Sequence, residues 1–132
     1  MLVGTMTGYI DNIEQLTQSN SNFRQVLFTA QHLQLVLMSL RPNEDIGMEI
    51  HSTTDQFFRI EAGTGKVIMN GEEKEIGDGD VVIVTAGTEH NIINTSSETE
   101  LKLYTIYAPP HHADGIVHAT KADAEADTTD HL

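Results

Sequence analysis

From residue 23 to residue 107, short runs rich in Val, Ile, Leu and Phe alternate with polar turns about every 8–12 residues. Runs this short, interrupted this often, favour β-strands over helices. The predicted strands cover residues 23–29, 33–40, 47–51, 56–61, 66–69, 72–76, 80–84, 90–94 and 101–107. Many short strands without a long helix predict an all-β domain, built as a small barrel or a jelly-roll sandwich.

Two turns are readable between these runs. Asn70 and Gly71 separate two strand patterns, and both residue types tolerate the positive φ that a tight hairpin requires. The glycine-rich run 77–80 predicts a second tight turn.

Short helices are predicted at both ends of the chain. Asp11 followed by Glu14 has the form of a capping box, which predicts a helix over residues 12–17. Thr120 is placed to cap a second short helix over residues 121–126. We therefore divide the chain into an N-terminal helical segment (1–22), a barrel (23–110) and a C-terminal loop with an acidic tail (111–132).

Composition narrows the classes of function. The 132 residues suffice for one domain with a core, and the lack of cysteine excludes disulfides, zinc-thiolate sites and thiol nucleophiles. A net charge of −13 argues against nucleic acid and anionic membrane surfaces as partners. Residues 1–11 lack a secretory signal pattern, and no apolar run reaches the length of a membrane span. These observations lead us to expect a cytoplasmic protein.

Four polar residues form the candidate site. Glu49 and His51 share a face of one predicted strand, because side chains on a strand alternate. A chain reversal at residues 52–55 would pair strand 56–61 with strand 47–51 and set Gln56, facing the barrel interior, beside His51. His90 opens a later strand. Two imidazoles, a carboxylate and an amide suit a divalent transition metal such as Fe, Mn, Ni or Zn.

The chain resembles the cupin family, whose second motif is G(X)5PXG(X)2H(X)3N. This motif fits Gly79, Gly87, His90 and Asn94, with Thr85 where proline is usual. The resemblance implies a double-stranded β-helix, the jelly-roll barrel of that family.

The first family motif, G(X)5HXH(X)3–4E(X)6G, fits less completely. His51 and Gly63 match, but Glu49 stands where the first histidine is expected and Gln56 where the glutamate is expected. Gly47 lies too close to Glu49 to serve as the opening glycine. The two exchanges keep one carboxylate among the four candidate ligands, which indicates an exchange of roles.

The resemblance implies a metal in the barrel interior and a small-molecule ligand such as a sugar, sugar acid or oxo-acid. It is compatible with a metal-dependent isomerase or dioxygenase, with a non-catalytic binding or sensing domain, and with a purely structural barrel. It also implies a homodimer formed through sheet faces, to which an outward-facing Phe57 would contribute.

Three histidines follow the barrel at positions 111, 112 and 118. We interpret His111, His112 and His118 as ordinary loop histidines beyond the β region. The alternative is that this segment folds over the barrel mouth, or onto a partner subunit, and controls access.

Overall fold

A computed structural model describes residues 7–130 of the chain. Residues 1–6 of the N-terminal segment and the last two residues of the acidic tail lie outside this range. The described residues form two helices, α1 (Ile13–Ser19) and α2 (Lys121–Ala126), and the following strands: β1 (Arg24–Thr29), β2 (Gln34–Leu40), β3 (Asp55–Ala62), β4 (Thr64–Met69), β5 (Glu72–Gly77), β6 (Val81–Val84), β7 (His90–Asn94), β8 (Leu101–Ala108) and β9 (Val117–His118).

The strands form two antiparallel sheets, in the order β6-β3-β8-β2-β1-β9 and β5-β4-β7. Some neighbouring strands are distant in sequence, as in the pairing of β3 with β8. The predicted all-β jelly-roll barrel with short terminal helices is confirmed.

The core lies between the two sheets and follows the predicted alternation. Gln56, Phe58 and Ile60 of β3 are all buried, as expected for the interior face. On β8, Leu101, Leu103, Thr105 and Tyr107 are buried while the residues between them are half-buried. Apolar burial of this kind stabilises a barrel by roughly 25 cal/mol for each Å² removed from water.

One predicted strand and one predicted pairing are wrong. Segment 47–51 forms no regular strand, and β3 pairs with β6 and β8 rather than with this segment. Instead, isolated bridges link Asp45 to Ile93 and Glu49 to His90, which lays segment 45–49 along β7. The pairing prediction failed because it assumed that strands adjacent in sequence pair. In a jelly roll, many strands pair within a sheet with strands that are distant in sequence.

The helices begin close to the predicted positions. The side chain of Asn12, rather than Asp11, caps α1 by accepting a hydrogen bond from the Gln15 N–H. Thr120 caps α2 as predicted, by accepting from the Asp123 N–H. Within the described residues, neither helix has the length and apolarity needed to cross a bilayer.

Residues beyond the barrel contact it at several points. β9 pairs with β1, a pairing that the sequence did not indicate. The Lys121 Nζ lies 2.5 Å from Asp45 Oδ1, which ties α2 to the segment that carries Glu49. The C-terminal segment therefore packs close to the mouth of the barrel.

Candidate metal centre

The backbone brings the two family motifs together at one point. Glu49 and His90 exchange both of their backbone hydrogen bonds, each with an N···O distance of 2.9 Å. Gly47 is fixed nearby, since its N–H donates to the Asn91 side chain at 2.9 Å. The side chains of Glu49 and His90 therefore start from adjacent positions on neighbouring chain segments.

Three side chains converge in the geometry of a metal site. Single donor atoms of Glu49, His51 and His111 all lie within 4.8 Å of one another. His51 is buried, whereas Glu49 and His111 are half-buried. The rings of His51 and His111 are 4.3 Å apart, measured between centroids.

The Nε2 atom of His51 has no hydrogen-bond partner among the described residues. His51 Nε2 is buried, and although Glu49 Oε2 lies 2.9 Å away, the two atoms are not aligned for a hydrogen bond. A buried polar atom left without a partner is costly, so such an atom calls for an explanation. A cation held between these two donor atoms would satisfy both, and on this point the residues fit a metal.

Gln56 and His90 form a second pair of donors. Gln56 Oε1 lies 3.2 Å from His90 Nε2. His90 Nδ1 donates to the Thr88 carbonyl at 2.9 Å, so Nε2 of the neutral ring carries a lone pair. The Gln56 amide nitrogen donates to Thr105 Oγ1 at 3.0 Å, which turns the amide oxygen towards His90. Two lone pairs that face each other at this distance suit two neighbouring ligands of one cation.

These two groups of donors adjoin each other. The His51 and His90 rings have centroids 5.4 Å apart. The structure therefore joins two of the four predicted ligands, Glu49 and His51, with His111, and joins the other two, Gln56 and His90, with each other.

A buried amide holds His111 in place. Gln34 is fully buried, and its Oε1 accepts hydrogen bonds from the N–H groups of His111 and His112 at 3.1 and 2.9 Å. Its Nε2 donates to the His112 carbonyl at 2.8 Å. One side chain of β2 thus fixes the backbone of the segment that closes over the barrel mouth.

His112 forms a buried relay behind the site. Its Nδ1 lies 2.7 Å from Asp130 Oδ2 and its Nε2 lies 3.1 Å from the Tyr107 hydroxyl. Burial lowers the pKa of His112 to about 4, so the ring is neutral at neutral pH. With Nδ1–H donating to Asp130, Nε2 accepts from the Tyr107 hydroxyl, whose own pKa is raised by burial. This relay anchors the acidic tail to the barrel.

The electrostatic environment of Glu49 and His111 favours the protonation states in which these side chains can bind a metal. Burial alone would raise the pKa of Glu49, but its contact with His51 and the charge of Arg24 lower it, so the carboxylate is ionised. Burial, followed by the nearby His51, lowers the pKa of His111 and keeps its imidazole neutral. An ionised carboxylate and neutral imidazoles are the forms that bind metal ions.

The interpretation of the three C-terminal histidines as ordinary loop residues is wrong in its geometry. His111 lies at the barrel mouth, and His112 and His118 are buried, His118 with its Nε2 2.9 Å from Asp127 Oδ2. The alternative reading, in which this segment folds over the mouth, matches the structure. Adjacent histidines on an extended chain point apart, and here one faces the site while the other faces Tyr107.

The sequence contains a residue that can replace the missing opening glycine of the first motif. The position six residues before Glu49, where the first motif has its opening glycine, is Asn43. Asn43 adopts a φ of 63°, in the left-handed region that asparagine tolerates better than other non-glycine residues. The motif is thus structurally complete at its start, with asparagine in the place of glycine.

A narrow cleft opens beside these donors. Its walls are formed by the following residues: Ile46, Gly47, Glu49, Gln56, Phe58, His90, Asn91 and Ile92. Apolar walls with a few convergent polar atoms suit a single ion, and this cleft is too narrow to admit a water molecule. The fold and the site thus define the class of protein: a small jelly-roll barrel that carries imidazole, carboxylate and amide donors at its mouth.

The comparison with protein families identifies that class. Residues 36–107 match the Cupin domain family, and the chain belongs to it. Members of this family commonly bind a metal, and the donors described above form a possible His/Glu site in this chain.

Similar proteins extend over most of the chain. YrkC of Bacillus subtilis is 49% identical over 124 residues, which covers 89% of this chain and 66% of that protein. L612 of Acanthamoeba polyphaga mimivirus is 45% identical over 111 residues, covering 81% of this chain and 69% of that protein. The crystal structure of BH2720 from Bacillus halodurans has a TM-score of 0.89 and 46% identity, covering 94% and 97% of the two chains. The chain therefore spans about two thirds of the length of the curated relatives.

Proposed function

We propose that this chain is a metal-binding cupin that acts on, or binds, a small molecule at the mouth of its barrel. The metal is a divalent transition ion of the Fe, Mn, Ni or Zn type, held by Glu49, His51, Gln56 and His90, with His111 as a further ligand. Imidazole and carboxylate together suit these ions better than Mg or Ca.

One observation carries the proposal. The buried Nε2 of His51 lacks a hydrogen-bond partner among the described residues, yet it lies 2.9 Å from Glu49 Oε2 and close to a donor atom of His111. A purely structural barrel would be expected to pair these polar atoms with one another. Their convergence, with a 2.9 Å contact between Glu49 and His51 but no aligned hydrogen bond to His51 Nε2, supports a site organised around a cation.

The remaining residues orient the ligands. The Thr88 carbonyl fixes the tautomer of His90, and Thr105 turns the Gln56 amide oxygen towards it. Hydrogen bonds to the side chains that ligate a metal commonly tune the affinity of the site for that metal. When bound, the metal would supply a Lewis acid that polarises a carbonyl or hydroxyl oxygen of the small molecule.

The alternative is a non-catalytic cupin that binds or senses a metabolite with the same site. Asp55 and Glu89 lie close to the motifs in sequence and could serve as general bases, but neither position supports that role. Asp55 Oδ1 accepts a hydrogen bond from the Ala86 N–H at 2.8 Å, and Glu89 is exposed. This observation favours the alternative over an isomerase that moves protons with a carboxylate base.

We also propose a homodimer formed through the outer face of the larger sheet. Ile83, Phe57, Ile106 and Leu35 stand opposite one another across four neighbouring strands. They form a continuous apolar row, and the side chain of Ile83 is 62% exposed. An exposed apolar row on a sheet face suits burial against a second copy of the chain.

Metal content tests the central proposal. Untagged protein is analysed by plasma mass spectrometry beside the variants His51→Ala and His111→Ala, with His32→Ala as control because His32 is exposed. We expect near-stoichiometric Fe, Mn, Ni or Zn in the parent protein and in the control, and strong loss in both site variants. Absence of metal from the parent after reconstitution with each ion would overturn the proposal.

Turnover separates the two functions. The metal-loaded protein is incubated with candidate sugars, sugar acids and oxo-acids, and the products are followed by NMR. A ligand that stabilises the protein and is recovered unchanged supports the binding alternative, whereas chemical conversion that is lost in His51→Ala supports the enzyme.

A further inference from the structure

We propose that Arg24 is the recognition residue for a carboxylate of the small molecule, which makes the ligand of this site a small organic acid rather than a neutral sugar. The inference deepens the proposed function and rests on it. Among the described residues, Arg24 forms no ion pair or hydrogen bond with the four predicted ligands, and among those ligands its charge lowers the pKa of Glu49.

Arg24 is a basic residue that lies inside the fold. It occupies the buried face of β1, opposite the fully buried Met38 of β2, and only 7% of its surface is exposed. Of the seven basic side chains in the sequence, four take part in ion pairs. Two of the remaining three, Arg41 and Lys74, are exposed to solvent, which leaves Arg24 as the buried one.

The charge of Arg24 is not neutralised by direct contact within the described residues. None of the ion pairs there includes it, and its Nε is buried without a hydrogen-bond partner. Its guanidinium carbon lies 5.2 Å from the centroid of the Phe23 ring, a contact that does not supply a hydrogen-bond acceptor to Nε. In a chain with 20 acidic residues, a buried cation without an acidic partner is a position where an external anion would bind.

A cleft connects Arg24 to the metal site. It has a volume of ≈ 150 Å³, and Arg24 and Glu49 both line it, together with Lys121 and Glu125 of the C-terminal segment. A molecule of a few heavy atoms in this cleft could approach both the guanidinium and the carboxylate of Glu49, the one proposed ligand that lines the cleft.

The shape and charge of the cleft favour a carboxylate over a phosphate. The planar guanidinium can donate two parallel hydrogen bonds to a carboxylate. Glu49 and Glu125, which line the same cleft, would repel a dianion more strongly than a monoanion. One carboxylate on Arg24, with a neighbouring oxo or hydroxyl oxygen directed at the metal donors, is the arrangement that fits this space.

The test uses the whole 132-residue chain and defined small anions. Binding of sodium pyruvate and sodium malonate is measured by calorimetry and by the rise in melting temperature, in the parent protein and in Arg24→Gln and Arg24→Lys. Methyl pyruvate serves as the neutral counterpart and inorganic phosphate as the competing anion. Arg41→Gln is the matched control, since it removes the same charge from an exposed position.

We expect both carboxylates to bind the parent and the Arg41→Gln control, and methyl pyruvate to bind neither. Arg24→Gln should weaken carboxylate binding by roughly 10- to 100-fold, the value of a charge-assisted hydrogen bond pair, while Arg24→Lys should lie between. Carboxylates that do not stabilise the parent, that bind Arg24→Gln equally well, or that bind more weakly than phosphate would overturn the inference.

Metal content measured in the same samples separates the two proposals. If metal is bound in the parent and in Arg24→Gln but carboxylate affinity does not differ between them, the inference about Arg24 is wrong and the metal site stands. If no metal is bound in the parent, the proposed function itself fails. Arg24→Lys keeps the charge, so a folding defect restricted to Arg24→Gln does not remove the test.

Discussion

Glu49 and His90 exchange both backbone hydrogen bonds at 2.9 Å, although they are distant in sequence and only one of them lies in a regular strand. This pairing brings the two cupin motifs into contact at a single point. It fixes the backbone positions of Glu49 and His90 relative to each other, whatever conformations their side chains adopt. The irregular segment 45–49 is therefore a structural part of the site.

Replacing Gln56 by glutamate restores the residue that the first cupin motif has at this position. Without metal, Gln56→Glu places a second buried carboxylate near Glu49, and we expect the free energy of unfolding to fall by about 1–3 kcal/mol. With metal, the stronger ligand should raise affinity by roughly tenfold, or about 1.4 kcal/mol. Thermal unfolding in chelator and in saturating Mn(II) checks both effects.

Gln31→Glu is the control for that experiment, because Gln31 is exposed and the substitution adds the same charge. If Gln56→Glu behaves like Gln31→Glu in both conditions, position 56 does not face a metal.

Removing the amide of Gln34 should release the segment that carries His111. In Gln34→Leu, three backbone groups of His111 and His112 lose their hydrogen-bond partner inside the fold. We expect a loss of about 2–4 kcal/mol in urea unfolding, since each buried unsatisfied group costs about 1–3 kcal/mol and the effects overlap.

The same variant should weaken metal binding to the level of His111→Ala, because both changes remove the His111 ring from the site. Gln31→Leu, a matching change at an exposed position, should alter neither property. Normal metal affinity in a folded Gln34→Leu protein would show that His111 is not a ligand.

A charge in the apolar row of the larger sheet should disrupt the proposed dimer. Ile83→Lys places an ammonium group at one end of the row formed with Phe57, Ile106 and Leu35, where a second copy would bury it. We expect sedimentation velocity to give a dimer for the parent protein and a monomer for the variant. Val117→Lys is the control, since Val117 is 55% exposed but lies on β9 at the opposite edge of the same sheet.

Acid should weaken the attachment of the C-terminal segment. Hydrogen bonds from Thr129 and then His118 lower the pKa of Asp127 below its ordinary value of 3.8. In Asp45, burial opposes the shift, but hydrogen bonds from Lys121 and Asn91 still lower the pKa below the same value. Both carboxyls stabilise the attached state above pH 3.8, and this contribution is lost as the pH falls through their lower native values.

Amide NMR signals of His118 and Lys121, followed from neutral pH downwards, measure that attachment. We expect them to shift towards positions typical of unstructured chain below about pH 4, before signals of the barrel strands change. Asp127→Asn should show the same change for His118 at neutral pH. Signals that move only together with those of the barrel would indicate that the segment has no separate stability.

The hydrophobic pattern by itself determined the class of fold. Alternation along 56–61 was enough to identify the buried face of β3, because a sheet with one face in a core imposes a period of two. Thr120 at the start of α2 was also readable, since a capping side chain bonds to a backbone group three residues away. Signals of this kind depend on neighbours in sequence.

The assembly of the site was decided only by the tertiary structure. The sequence indicated Glu49, His51, Gln56 and His90 as a group, but the fold pairs Glu49 with His90 through the backbone and adds His111 from a segment beyond the barrel. The buried position of Arg24 was equally invisible. Pairings between distant strands, and the path of a chain after its last long strand, depend on which surfaces remain to be covered once the sheets have formed, and local patterns carry no record of that.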